Sequence, residues 1–291
     1  MTTTLFFAKT RALLEMIKFS HTIFAFPFAL MGVVLASLAN QTLPGIGQTF
    51  WICVAMVGAR SGAMGLNRLI DARIDAENPR TAERHIPAGR ISLKEAWIFI
   101  LVSLAVFLLA AWMLNPLCFQ LAPVAIGLFV LYAYCKRFTA MAHLVLGICL
   151  AAAPIGAWIA LRGDLGLPVA FLGLAVLFWV AGFDIFYALQ DVDYDQARGL
   201  YSIPSRLGVE RSLQLVRIFH CLMLFFLLLI LPGSGLGWIY FLGVLVVAGM
   251  LYYEHSLVKA DDLSKLDAAF FNMNGYISVT IFVFTLVDAV I

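Results

Sequence analysis

Charge is scarce in this chain of 291 residues. Asp, Glu, Lys and Arg make up 12% of it, against roughly 25% in an ordinary soluble protein. Hydrophobic residues reach 63%, and the mean hydropathy is +0.97. That balance excludes a disordered chain and argues against a soluble globular domain. A basic excess is lacking too: 19 Lys and Arg against 17 Asp and Glu leave a net charge of +2, so the polybasic footprint of a nucleic-acid binder is missing and no nucleic-acid partner is expected. Cysteine is sparse and odd in number, at positions 53, 118, 135, 149 and 221. These five lie within or at the ends of apolar runs with no metal-ligand spacing; they are uninformative about bridges and read as reduced, lipid-facing or packing residues. A cleavable signal is not expected: the stretch to Glu15 is short and mixed, and the next apolar run continues past Lys18 to about Asn40, too long for a signal core.

Long apolar runs are what the sequence does have. Nine reach spanning length, at about 18–39, 48–69, 95–114, 116–135, 141–161, 168–190, 212–231, 236–254 and 268–289. The expected fold is therefore all-α, a polytopic membrane bundle of nine transmembrane helices. A barrel would show alternation over about 10 residues instead. When each Lys and Arg is assigned to its nearest helix end, only Arg162 of the 19 falls on one side. By the positive-inside rule the other side is cytoplasmic, with the N-terminus inside.

Two long loops on that side repeat one another. The first carries Asp71, Asp75, Arg80 and Ile86-Pro87; the second carries Asp191, Asp195, Arg198 and Ile203-Pro204. The expectation is a single membrane domain over residues 1–291. It has two duplicated four-helix halves, about 16–136 and 137–254, and a ninth helix at about 268–289. In such a bundle the two acidic pairs sit at equivalent helix ends and could face one cavity.

Asp-x-x-x-Asp puts two carboxylates on one helical face, where they repel unless a proton or cation intervenes. One such pair alone reads most simply as a solvated helix end; two at matching positions point to function. A hard divalent ion such as Mg²⁺ suits carboxylate, water and phosphate oxygens together, so two pairs would clamp Mg²⁺ and a diphosphate, with the ion offsetting charge on a departing group. Asn67, one turn before Asp71, extends the first polar face. Asp184, Tyr187 and Asp191 share a face in the second. Asp184 and Arg60 are deep in their spans, where ionisable residues are functional candidates. Arg60 is expected to meet either Asp184 or an anionic ligand, with a purely structural pair equally weighted. Lys136 faces the same compartment, some of the 24 Phe, 9 Tyr and 6 Trp could shelter a carbocation, and none of the five His is read as a metal ligand.

These residues resemble a known family. Arg60 to Asn67, Asp71 and Asp75, followed by Arg80-Thr81, Arg84, Pro87 and Gly89, resemble the first signature of the UbiA prenyltransferase superfamily. Asp184, Tyr187-Ala188, Asp191 and Asp195, then Ser202-Ile203-Pro204, resemble the second. Tyr132, Lys136-Arg137 and Thr139 resemble a third segment of its aromatic-acid members. The resemblance covers the whole chain. It implies an intramembrane enzyme that moves a prenyl group from a prenyl diphosphate to an acceptor with Mg²⁺ as cofactor. It further implies that Asn67, Asp71, Asp75, Asp191 and Asp195 hold Mg²⁺ and diphosphate. Arg80, Arg84, Lys136 and Arg198 would help to bind the diphosphate, Lys18 would add a charge, and Arg60, Asp184 and Tyr187 would lie near the acceptor and reacting carbon. Arg68 and His85 stand where ubiquinone-type members usually have Asp and Pro, and the segment 17–24 looks more like a bacterial 4-hydroxybenzoate polyprenyltransferase-like branch, some of which serve the futalosine route to menaquinone. The implied activity is transfer of a polyprenyl group to a hydroxylated aromatic acid, 4-hydroxybenzoate or 1,4-dihydroxy-6-naphthoate, in ubiquinone or menaquinone synthesis. The implied place is the bacterial inner membrane, with the active site facing the cytoplasm. The rival readings are a transporter using the intramembrane Asp and Arg, a family member with another acceptor, and a CDP-alcohol phosphotransferase, whose compact motif this sequence lacks.

Overall fold

Among the described residues the apolar runs become helices, because a backbone surrounded by lipid must satisfy its own hydrogen bonds. A computed structural model describes residues 2–17, 26–259, 262–263, 266 and 273–291, and Lys18 and His21 fall outside them. Among the described residues the only bridge pairing outside helices joins Lys259 and Asp262. The helices are α1 (Thr2–Met16), α2 (Phe26–Asn40), α3 (Ile46–Ile70), α4 (Ala72–Glu77), α5 (Leu93–Leu114), α6 (Pro116–Cys135) and α7 (Ala142–Arg162). They continue with α8 (Leu167–Ala188), α9 (Val192–Arg198), α10 (Ile203–Leu207), α11 (Val209–Leu229), α12 (Trp238–Leu257) and α13 (Asn274–Val290). Seven of them, α3, α5, α6, α7, α8, α11 and α12, are long and apolar enough to cross a bilayer. The first and ninth expected spans correspond to the shorter apolar helices α2 and α13, of 15 and 17 residues. At 1.5 Å per residue α2 covers about 22 Å, short of a hydrocarbon core of roughly 30 Å.

Helix ends follow local chemistry. Ser92 and Glu95 close a capping box at the start of α5, with Glu95 N–H donating to Ser92 Oγ at 3.3 Å and Ser92 N–H to Glu95 Oε2 at 2.9 Å. Gly163 ends α7 with φ +71°, a left-handed conformation that glycine adopts without a Cβ clash. The stretch before Glu15, mixed in sequence, is helical as α1.

Packing divides the chain into two units, Met1–Thr22 with Thr49–Tyr134 and Ile23–Gln48 with Cys135–Ile291. In the first, α3 lies against α5 through glycine. A Cβ at Gly58 would come within 2.8 Å of the Phe107 nitrogen and 2.9 Å of the Ser103 oxygen, and Gly62 and Gly65 meet Leu104 and Ile100. Small residues let membrane helices approach to backbone contact. At 100° per residue, Arg60, Asn67 and Asp71 project about 170° away from this glycine seam, so tight packing on one side leaves the polar face on the other. Met16, Ile17, Ile86, Ile91 and Ala96 form an apolar cluster that fixes the loop after α4.

In the second unit α8 is the most enclosed element, packed against α7 and α11. Trp179, Ile185 and Phe186 are fully buried, with Trp179 between Phe28 at 4.8 Å and Phe183 at 5.0 Å. The helix α7 has glycine contacts on two sides. A Cβ on Gly32 of α2 would lie 2.4 Å from the Pro154 oxygen, and one on Gly147 would lie 2.4 Å from the Leu177 oxygen of α8. Apolar side chains such as Leu101, Trp112, Val124 and Phe225 point outward, as they do where lipid is the solvent.

Candidate active site

The first acidic motif is built on a nearly continuous helix. Asp71 separates α3 from α4, yet its N–H donates to Asn67 O at 3.0 Å and its own carbonyl accepts from Asp75 N–H at 2.8 Å. The i, i+4 spacing therefore keeps Asn67, Asp71 and Asp75 on one face. Asn67 Nδ2 donates to Asp71 Oδ2 at 3.3 Å. Both carboxylates are buried, Asp71 at 4% and Asp75 at 3% exposure. Asp75 Oδ1 accepts from Arg84 Nη1 at 2.6 Å, while its Oδ2 has no hydrogen-bond partner among the described residues. The loop is shaped for this ion pair: Thr81 Oγ1 donates to the Asp75 carbonyl at 3.0 Å, and Arg80 N–H donates to Asn78 Oδ1 at 3.0 Å. Arg80 itself is exposed.

The second motif bends more. After α8 comes a 3-10 turn, Leu189–Asp191, then α9, which Gly199 ends at φ +65°. Asp195 Oδ2 accepts from Ser202 Oγ at 2.9 Å. Ser202 and Ser205 form a capping box at the start of α10. The Lys136 carbonyl accepts from Tyr201 N–H at 2.8 Å, and Lys136 and Asp191 are both near enough to act electrostatically on Asp195. Arg198 is exposed, with its guanidinium 5.9 Å from the Tyr194 ring.

The deep residues are placed as follows. Arg60 is half-buried on the polar side of α3. Asp184 takes His143 as its partner, Nδ1 to Oδ2 at 2.7 Å, and Tyr187 follows it, half-buried, on α8. Sequence reading passed over His143, which lies 41 residues from Asp184. Its only signal was a histidine at the mouth of an apolar run, four residues after Thr139. Lys18 lies outside the described residues.

Among the described residues no three His, Cys, Asp or Glu side chains form a ready metal cage. The first motif still suits a hard cation. It offers two buried carboxylates and an amide on one face, with an Asp75 oxygen left over, and Mg²⁺ ordinarily binds one or two carboxylates and completes its shell with water and phosphate.

The model of the UbiA prenyltransferase family matches residues 25–276. The chain belongs to that family. Its relatives include the 4-hydroxybenzoate octaprenyltransferases of Vibrio cholerae serotype O1 (strain ATCC 39315), 31% identical over 245 residues that cover 84% of this chain and 85% of that one, and of Shewanella frigidimarina (strain NCIMB 400), 31% identical over 263 residues that cover 90% of each. Among solved structures, the apo UbiA homologue from Aeropyrum pernix K1 aligns with a TM-score of 0.83 at 30% identity, over 92% of this chain and 98% of that one. A UbiA homologue from Archaeoglobus fulgidus, bound to GPP and Mg²⁺, aligns with a TM-score of 0.67 at 17% identity over 96% and 100%, which shows a shared fold.

As a UbiA-family prenyltransferase with seven helices of spanning length among its described residues, the chain is a multi-pass membrane protein. Two side chains around the first motif touch the end of α1. Arg68 Nε donates to Met16 O at 3.4 Å, and His85 Nε2 lies 3.5 Å from Glu15 Oε2. A separate polar group lies between α11 and α12. His220 Nδ1 is 3.0 Å from His255 Nε2 and 3.6 Å from Glu254 Oε2, and both oxygens of the fully buried Glu254 lack a hydrogen-bond partner among the described residues.

Proposed function

We propose that this UbiA-family chain transfers a polyprenyl group from its diphosphate to the ring of a hydroxylated aromatic acid, 4-hydroxybenzoate or 1,4-dihydroxy-6-naphthoate, in quinone synthesis. The reading places it in a bacterial inner membrane with nine spans, the N-terminus and the acidic motifs on the cytoplasmic side, and two duplicated halves in a single domain. It is supported by relatives named as 4-hydroxybenzoate octaprenyltransferases and by the family fold's occurrence with a prenyl diphosphate and Mg²⁺ in the archaeal homologue. The observation that carries it is Asp75: a buried carboxylate on one face with Asp71 and Asn67, one oxygen held by Arg84 and the other unused.

Asn67, Asp71 and Asp75 of the first motif and Asp191 and Asp195 of the second would hold Mg²⁺, which when bound supplies positive charge beside the diphosphate oxygens. Arg84, fixed in place by Asp75, and Arg80, Lys136, Arg198 and Lys18 add charge-assisted hydrogen bonds to those oxygens, and these strengthen as negative charge builds on the leaving group. The allylic carbon–oxygen bond breaks and diphosphate departs with the electron pair. A ring carbon made electron-rich by the neighbouring hydroxyl forms the new bond, and the ring proton then leaves. Arg60 pairs with the carboxylate of the acid, while Asp184 and Tyr187 orient the ring. Apolar walls keep out the water that would otherwise hydrolyse the cation.

The test is mass spectrometry of products. Membranes holding the protein are incubated with Mg²⁺, a polyprenyl diphosphate and either aromatic acid, with a chelated control. The expected result is a prenylated acid and free diphosphate, lost on chelation and lost in Asp71→Asn and Asp191→Asn, which still fold. Near-normal turnover in either variant sinks the metal assignment, and transport of substrate into sealed vesicles without prenyl diphosphate would favour the transporter.

A further inference from the structure

The second unit contains a hydrogen-bonded chain that links Asp184 of α8 to the second acidic motif. His143 is the second residue of α7 and is 3% exposed. Its Nδ1 lies 2.7 Å from Asp184 Oδ2, and its Nε2 accepts the backbone N–H of Ile203 at 3.3 Å. That second bond decides the tautomer. An Nε2 that accepts carries a lone pair, so the ring proton is on Nδ1 and is donated to Asp184. Ile203 is the first residue of α10, where a helix leaves its N–H groups without intrahelical acceptors, and His143 provides one. The residue before it, Ser202, donates through Oγ to Asp195 Oδ2 at 2.9 Å. Four groups on four elements, α8, α7, the start of α10 and α9, are thus held in sequence: Asp184, His143, Ile203 N–H with the adjoining Ser202 hydroxyl, and Asp195.

We propose that His143 is a positioning residue that fixes the Asp184 carboxylate and ties it to the loop that orients Asp195, so that the acceptor side and the diphosphate side of the reaction keep a set geometry. The nearest chain neighbours of Asp184 on α8, Phe183, Ile185 and Phe186, are apolar and buried, and none of them can donate to its carboxylate. Without the imidazole, Asp184 has lost its donor and the Ile203 N–H its acceptor. The proposal rests on the prenyl-transfer reading for its kinetic test but not for its structural one.

Glutamine separates the proposal from simple space-filling. Its amide presents a donor and an acceptor about as far apart as the two imidazole nitrogens, so His143→Gln can serve both partners, and His143→Leu neither. In detergent-purified full-length protein, His143→Gln should keep turnover within about 5-fold of the parent, and His143→Leu should lose roughly 10- to 100-fold, the range for a deleted charged hydrogen bond. Because His143 acts through Asp184, adding His143→Leu to Asp184→Ala should lower turnover by less than about 3-fold more, the signature of one coupled unit. Equal damage from Gln and Leu, full activity in His143→Leu, or additive losses in the double variant would each overturn the proposal. If His143→Leu does not accumulate, His143→Asn replaces it, being too short to reach both partners. The structural test is ¹⁵N NMR of histidine-labelled protein, needing no substrate: an Nδ1–H tautomer for His143 that moves in Asp184→Ala is expected, and an Nε2–H tautomer ends the case. A parent enzyme that makes no prenylated product, but shows the Nδ1–H signal, refutes the reaction and leaves the link standing.

Discussion

The contact between Gly147 and Leu177 allows the sharpest forecast. A methyl group at position 147 would sit 2.4 Å from the Leu177 carbonyl oxygen, 3.1 Å from its carbon and 3.2 Å from its Cα. All three are backbone atoms, so no rotamer change can make room. Ordinary contact begins near 3.4 Å, so α7 and α8 must part by about 1 Å at this point. Overpacking of this kind destabilises by about 1–3 kcal/mol. One turn earlier on the same face of α7 is His143, and two turns further along α8 from Leu177 is Asp184. Their 2.7 Å bond, opened by about 1 Å, is no longer a hydrogen bond. Gly147→Ala should therefore lower the thermal midpoint in detergent and cut prenyl transfer by at least about 10-fold even where the protein remains folded. Gly127→Ala on α6 is the control, because its Cβ meets nothing within 4 Å; removing a mid-helix glycine there should be neutral or raise stability by up to about 1 kcal/mol. A Gly147→Ala protein with the midpoint and turnover of the Gly127→Ala control would refute the reasoning.

Arg84→Gln takes from Asp75 its ionic partner. Because Arg84 is about one-fifth exposed, the loss should be about 1–3 kcal/mol, below the roughly 3–5 for a fully buried pair, with a KM for prenyl diphosphate raised by about 10-fold; stability unchanged by calorimetry would count against the pair. Ser202→Ala removes both the α10 cap and the bond to Asp195, so it should cost about 1 kcal/mol and raise the Mg²⁺ concentration needed for half-maximal turnover; a metal titration that overlays the parent's would separate Ser202 from the site. Glu254→Leu replaces a buried carboxyl group whose oxygens have no hydrogen-bond partner among the described residues by an apolar side chain of similar size. It should raise the unfolding midpoint, by about 1–3 kcal/mol in equivalent stability, the cost of leaving a buried polar group unsatisfied, and a lowered midpoint would mean that the carboxyl is satisfied in the membrane.

The long helices were legible because lipid imposes the same demand on every residue of a span, and breaks such as Asn115-Pro116 and Gly163 to Pro168 are local chemistry. The face shared by Asn67, Asp71 and Asp75 was legible for the same reason, as spacing within one helix sets it. Where tertiary packing decides, the sequence said less. The short helices α4, α9 and α10 lie in stretches that read as polar loops, because capping serines and the Ile86 and Ile203 anchors hold them. The partner of Asp184 was out of reach: nothing in a single sequence reports that position 143 meets position 184 across a glycine seam. Arg84 was assigned by resemblance to diphosphate alone, and its bond to Asp75 adds a second duty, holding the carboxylate's orientation before any ligand arrives.

The doubly pinned helix α7 also bears on how such an enzyme can be re-engineered. With Gly32 pressed to Pro154 on one flank and Gly147 to Leu177 on the other, a directed-evolution library randomised along these seams would lose most of its members before any new specificity could be scored. Variation aimed at a different acceptor is better spent on side chains of α8 that neither seam constrains, with α7 left as the fixed reference against which they are read.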